Sequence, residues 1–119
     1  MATTKGRGAR ADLFDLAGHG DDIREASDAL KAMAHPLRLK ILCLVGQNEL
    51  MVQDIVEAVG TSQSNISQHL AVMRERGLIA SRKEANKVFY RIRNDQLLML
   101  IGTMRSVLCP ANLDQERRG

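Results

Sequence analysis

Between residues 52 and 76 two helical periods are separated by only three residues, Gly60-Thr61-Ser62, and this spacing constrains the fold more than any other feature of the chain. In the first segment Ile55, Val56 and Val59 recur at helical intervals; in the second, Ile66, Leu70 and Met73 do. Gly60 suits the left-handed backbone that ends a helix. Ser62 carries an oxygen that can accept from the freed N–H groups opening the next one. Two short helices joined by a tight glycine-containing turn make the minimal helix-turn-helix. The second helix, expected over 63–76 and closed by Gly77, divides its labour. Ile66, Leu70 and Met73 face inward, while Gln63, Ser64, Ser67 and Gln68, with Asn65 beside them, present short or amide side chains outward. Such groups both donate and accept hydrogen bonds, the chemistry needed to read base edges in a major groove. The first-turn N–H groups, with the Ser62 and Ser64 hydroxyls, suit a phosphate. Ser and Gln also solvate ordinary surface helices, so this face needs a second observation beside it.

The rest of the chain supplies one. A helix is expected from Asp21, with Ile23, Ala26, Leu30 and Met33 at helical spacing and Asp21 or Asp22 as its cap. His35-Pro36 breaks it, and Pro36 opens a second helix through Leu37, Ile41, Leu44 and Val45 that stops at Gly46. After the helix-turn-helix, runs over 78–83 and 88–92 flank a polar turn, 84–87, and read as a β-hairpin. Asp95 is the expected cap of a last helix carrying Leu97, Leu100, Ile101, Met104 and Leu108 and stopped by Pro110. The fold class is therefore mainly α with a small β-hairpin wing, in the order α-α-α-α-β-β-α. Residues 1–20 are expected to form a flexible arm, 21–110 the DNA-binding and dimerisation domain, and 111–119 a short tail.

Net charge is +3 for the whole chain, but its distribution is uneven. Residues 62–93 hold seven Lys and Arg against two Glu, a net of +5, and every other stretch is neutral or slightly negative. The excess of positive charge thus coincides with the helix-turn-helix and the hairpin, where neutralising phosphates is its natural use. Arg82, Lys83 and Lys87, then Arg91, are the candidate phosphate contacts, with Asn86 at the tip of the wing. Double-stranded DNA is the expected partner. A chain of 119 residues with 45% hydrophobic and only 3% aromatic residues builds one modest core. The long apolar stripe of the last helix would be better covered by a second copy. No apolar run approaches a membrane span, and the basic residues Lys5, Arg7 and Arg10 precede no apolar stretch, so the expected location is cytoplasmic.

Three stretches together carry a resemblance: KAMAHPLRLKILCLV (31–45), TSQSNISQHLAVMRERGLI (61–79) and SRKEANKVFYRI (81–92). Over residues 24–109 the chain resembles the ArsR/SmtB family of winged-helix repressors. That resemblance implies a winged helix-turn-helix, a homodimer joined through its first and last helices, and an inverted-repeat operator. It places the base-reading positions at Gln63, Ser64, Ser67, Gln68 and His69, although packing of His69 against the wing is an equal alternative.

Many members of the family release DNA on binding metal. Their third-helix site resembles ELCVCDL; here the stretch is ELMVQD (49–54), with Met51 and Gln53 where thiolates would stand. The last-helix site keeps Asp95 but has Leu97 in place of a histidine. His19, His35 and His69 are scattered, so no metal or other cofactor is expected. Two thiols remain, Cys43 in the second helix and Cys109 at the end of the last. One reading makes Cys43 a small buried hydrophobe and Cys109 incidental. A Cys in KILC and another near the end of the last helix resemble the sulfide- and persulfide-sensing branch of the family. There, reactive sulfur species link the two thiols by a di- or polysulfide bridge and the repressor leaves its operator. Peroxide, simple disulfide or metal induction are alternatives. A small thiol peroxidase is a rival class, but it would need a group that activates a thiol, and only Arg105 stands near Cys109 in sequence. The chain is therefore not expected to be an enzyme.

Overall fold

A computed structural model of the chain describes residues 18–109. Most of the expected arm, the tail over 111–119 and the helix stop at Pro110 lie outside the described residues. Five helices and one hairpin follow in the expected order: α1 (Gly20–Met33), α2 (Pro36–Val45), α3 (Val52–Val59), α4 (Gln63–Glu75), β1 (Ile79–Glu84), β2 (Lys87–Ile92) and α5 (Asp95–Leu108).

The helix boundaries follow local chemistry. His35, in extended conformation, caps α2: its Nδ1 accepts from the Leu37 N–H at 3.1 Å, and Pro36 occupies the first turn. Gly60, at φ +85°, ends α3 in the left-handed region. Ser62 Oγ accepts from the Asn65 N–H at 3.1 Å and caps α4. Two expected caps are corrected. Asn94, not Asp95, caps α5; its Oδ1 accepts from the Leu97 N–H at 2.8 Å because Asn94, at φ −151° and ψ 166°, is the last extended residue. At α1 the cap position is His19, and Asp21 and Asp22 lie within the first turn, where they complement the helix dipole without capping.

The core is aliphatic. Ile41, Leu42 and Val45 of α2, Ile55 of α3, and Ile66, Leu70 and Met73 of α4 are buried together with Leu78, Ile79 and Ile92 of the hairpin region. α4 packs against α1, α2, α3 and β1, so its inward stripe is the hub of the domain. The hairpin is antiparallel, pairing Ile79 with Ile92 through Glu84 with Lys87. Cross-strand pairing therefore runs one residue further than the sequence pattern predicts, and the turn shrinks to Ala85-Asn86, with Ala85 at φ 57°. Leu50, just before α3, adds a bridge to the wing: its N–H donates to Tyr90 O at 3.0 Å and its carbonyl accepts from Tyr90 N–H at 2.8 Å.

The apolar stripe of α5 splits. Ile101 is buried and Leu97, Leu98 and Met104 pack on the core, whereas Leu100 and Leu108 are exposed together with Met99 and Val107. On α1, Ala29, Ala32 and Met33 face the core and Ile23 and Leu30 do not. Both terminal helices thus carry apolar side chains that one chain leaves in solvent. None of the helices among the described residues is long and apolar enough to cross a membrane.

Candidate nucleic-acid interface

The outward face of α4 is built as its sequence pattern requires. Ile66, Leu70 and Met73 are essentially inaccessible, at 0%, 1% and 0%, which locks the helix rotationally. Gln63, Ser64, Ser67 and Gln68 are then left exposed on the opposite side. Ser62 is exposed, with its oxygen engaged as cap. Asn65 is half-buried and serves the turn: its Nδ2 donates to Thr61 Oγ1 at 3.1 Å.

His69 behaves differently from its neighbours. Its ring lies 4.8 Å from the His35 ring, centroid to centroid, at a tilt of 52°. The packing partner is thus the α1–α2 junction and not the wing, because His69 falls on the side of α4 turned toward α2. Burial lowers its pKa, and the neighbouring His35 and Arg38 lower it further. His69 is accordingly neutral at neutral pH.

On the wing, Lys83, Asn86 and Lys87 are exposed. Among the described residues neither lysine has an ion-pair partner. Arg82 is engaged instead. It forms a fork with Glu49, donating from Nε at 2.9 Å and from Nη2 at 2.8 Å, and donates from Nη1 to Glu84 at 2.6 Å. Its guanidinium also lies 4.7 Å over the Phe89 ring. The Arg82 hydrogen bond holds the Glu49 carboxyl below its ordinary pKa. Arg91 donates from Nη1 to the carbonyls of Arg93, at 3.0 Å, and Ile92, at 3.3 Å. The four wing cations picked out by sequence therefore divide into two free lysines and two arginines committed to the protein. Residue type and charge do not reveal this division, because Glu49 is 33 positions from Arg82.

Both cysteines are free and exposed. Cys43 is therefore not a buried hydrophobe. It lines a groove between α2 and α5 with Gly46, Gln47, Ile101, Gly102 and Arg105. Cys109 ends α5 one turn beyond Arg105, to whose carbonyl its N–H donates at 2.9 Å. In the third-helix stretch, Asp54 Oδ2 accepts from the Met51 N–H at 2.9 Å, so this carboxylate serves as part of a helix cap.

A helix-turn-helix with an exposed polar face on its second helix and an adjoining basic hairpin defines a winged-helix DNA-binding protein. The chain belongs to the ArsR family of transcriptional regulators. The family model "Bacterial regulatory protein, arsR family" matches residues 35–81. The HTH-type transcriptional regulator YgaV of Escherichia coli is 41% identical over 99 residues, covering 82% of this chain and all of that protein. The solved structure of reduced HlyU from Vibrio cholerae superposes with a TM-score of 0.69 at 38% identity, over 79% of this chain and 99% of that one; HlyU is named a transcriptional activator. A winged helix-turn-helix domain from Mycobacterium bovis, described as homodimeric, matches with a TM-score of 0.68 at 25% identity, covering 91% of this chain and 89% of that one. YgaV and HlyU are both named as transcriptional regulators, which favours a regulator over the peroxidase reading.

Proposed function

We propose that this chain is a cytoplasmic, homodimeric repressor that binds an inverted-repeat operator and is released when reactive sulfur species link Cys43 to Cys109. The observation that carries the DNA half is the exposed Gln63, Ser64, Ser67 and Gln68 face of α4 beside two unpaired wing lysines. Gln68 and its neighbours read base edges, and Lys83, Asn86 and Lys87 follow the backbone. Arg82 and Arg91 reach phosphate only by giving up their present partners. Ser62 and Asn65 shape the start of the helix. Exposed Ile23 and Leu30 of α1, with Met99, Leu100, Val107 and Leu108 of α5, supply the apolar surface for a two-fold partner, and the homodimeric Mycobacterium bovis neighbour supports that assembly. Two recognition helices related by that axis fit two half-sites about 34–36 Å apart. A dimer seated over a promoter excludes polymerase, and reporter transcription in a deletion strain decides this against the activator role named for HlyU.

The sulfur half rests on two exposed thiols, one in a groove walled by α5 and the other ending that helix. A Cys43 thiolate attacks a sulfur of a polysulfide, breaking a donor S–S bond and expelling the shorter sulfide. The Cys109 thiolate then attacks the sulfur chain on Cys43, expels sulfide and closes the bridge. Both thiols are oxidised and the donor is reduced. Tying α2 to α5 would shift helices that support α4 and the dimer, and so the spacing of the recognition helices. Binding to the protein's own promoter region should weaken steeply with salt, and a flat dependence refutes the DNA reading. Gln68→Ala should relax sequence preference, while Lys87→Gln weakens binding to all sequences alike. Mass spectrometry after polysulfide treatment should find Cys43 bridged to Cys109 with inserted sulfur. A Cys43→Ser protein that still releases DNA normally refutes the two-thiol mechanism. Bridging by peroxide alone, or release by metal alone, would assign the alternative inducers.

A further inference from the structure

Arg82 draws its partners from two separate parts of the fold. Glu49 belongs to the segment leading into α3, and Glu84 ends the wing's own first strand. The fork between Arg82 and Glu49 is bidentate, the geometry in which an arginine–carboxylate pair fixes orientation as well as distance. Leu50, directly after Glu49, makes the reciprocal backbone pair with Tyr90 on the other strand. Side chains and backbone therefore clamp the same two segments together and set the hairpin's angle to the helix-turn-helix. Glu84 is also the cross-strand partner of Lys87. Its carboxylate is drawn to Arg82 across 2.6 Å.

We propose that Arg82 and Glu49 form a positioning pair for DNA binding, in which Arg82 contacts no phosphate but holds the wing at its angle to α4. Glu49, an acidic residue on a DNA-binding protein, is then required for tight binding and not a drag on it. This inference rests on the reading of the wing as a DNA contact. A cation already matched by two carboxylates releases no counterion when DNA binds, so its loss changes affinity without changing the salt dependence.

The test is fluorescence anisotropy on promoter DNA between about 50 and 200 mM salt, for the full chain and for Arg82→Gln, Arg82→Lys, Glu49→Gln, the Arg82→Gln/Glu49→Gln double variant and Lys87→Gln. Lys87→Gln should reduce the slope of log K against log salt by about 0.9. Arg82→Gln and Glu49→Gln should each weaken binding about 5–10-fold at unchanged slope, and the double variant should be no worse than either. Arg82→Lys keeps the charge but loses the fork, and should not rescue. The proposal is overturned if Arg82→Gln lowers the slope as Lys87→Gln does. It is equally overturned if Glu49→Gln tightens binding with a steeper slope, the signature of a freed cation, or if neither substitution changes affinity. A flat salt dependence in the unmodified protein would refute the DNA reading itself, and so is distinguishable from all of these.

Discussion

Substitution of Ser62 separates the structural from the electrostatic work of the α4 N-terminus. The first-turn N–H groups of a helix have no partner within it. Ser62 Oγ satisfies one of them, accepting from Asn65 at 3.1 Å. Ser62→Ala removes that acceptor at an exposed site, where water recovers part of the loss, so the cost should be about 1 kcal/mol. For a domain of this size that corresponds to a melting temperature lower by about 4–8 °C. Ser62→Asp restores an acceptor and adds a negative charge that the helix dipole favours, so thermal stability should return to the original level. The same carboxylate would face the DNA backbone, and operator affinity should fall by at least about tenfold while the fold stays intact. Thermal melts at one fixed protein concentration, needed because the proposed dimerisation would shift the midpoint, and operator titrations of both variants measure the two effects. Unchanged melting of Ser62→Ala would show that the cap contributes nothing. Undiminished binding by Ser62→Asp would show that the N-terminus of α4 stays away from phosphate, and the orientation argued for the recognition helix would be wrong.

Three further outcomes follow from the same structure. Gly77→Ala places a Cβ at φ +76° and 2.5 Å from Arg93 Nη1; the flexible arginine can move but the backbone cannot, so stability should fall by about 1–2 kcal/mol in a denaturant titration. Because burial lowers the pKa of His69, unfolded chains take up its proton first, and stability should decline as pH falls below about 6.5. Melting curves at a series of pH values should show that decline, and His69→Gln should flatten it. Leu100 is 47% exposed in the single chain, so Leu100→Glu should leave the domain folded by circular dichroism yet shift sedimentation toward monomer; a dimer that survives would place the two-fold interface elsewhere.

Much of this fold was legible without coordinates, for identifiable reasons. The inward stripe Ile66, Leu70 and Met73, the Ser62 cap and the Gly60 stop depend on residues within a few positions of one another, and the structure reproduces each. The caps of α1 and α5 fall one to three residues earlier than expected because several polar residues adjoin there and only backbone dihedrals choose among them. The candidate site was half legible. Exposure of Gln63, Ser64, Ser67 and Gln68 follows directly from which face of α4 is apolar.

What the sequence by itself determined was the order of elements, the exposed polar face of α4 and the concentration of positive charge beside it, because period, capping and charge are local properties. Tertiary structure alone decided which cations are available, turning Arg82 toward Glu49 and leaving Lys83 and Lys87 free. It alone paired Leu50 with Tyr90, stacked His69 on His35 and brought Cys43 to a groove walled by α5. Each of these contacts joins segments whose proximity is set by packing around the α4 stripe, and no local period of either segment records the other.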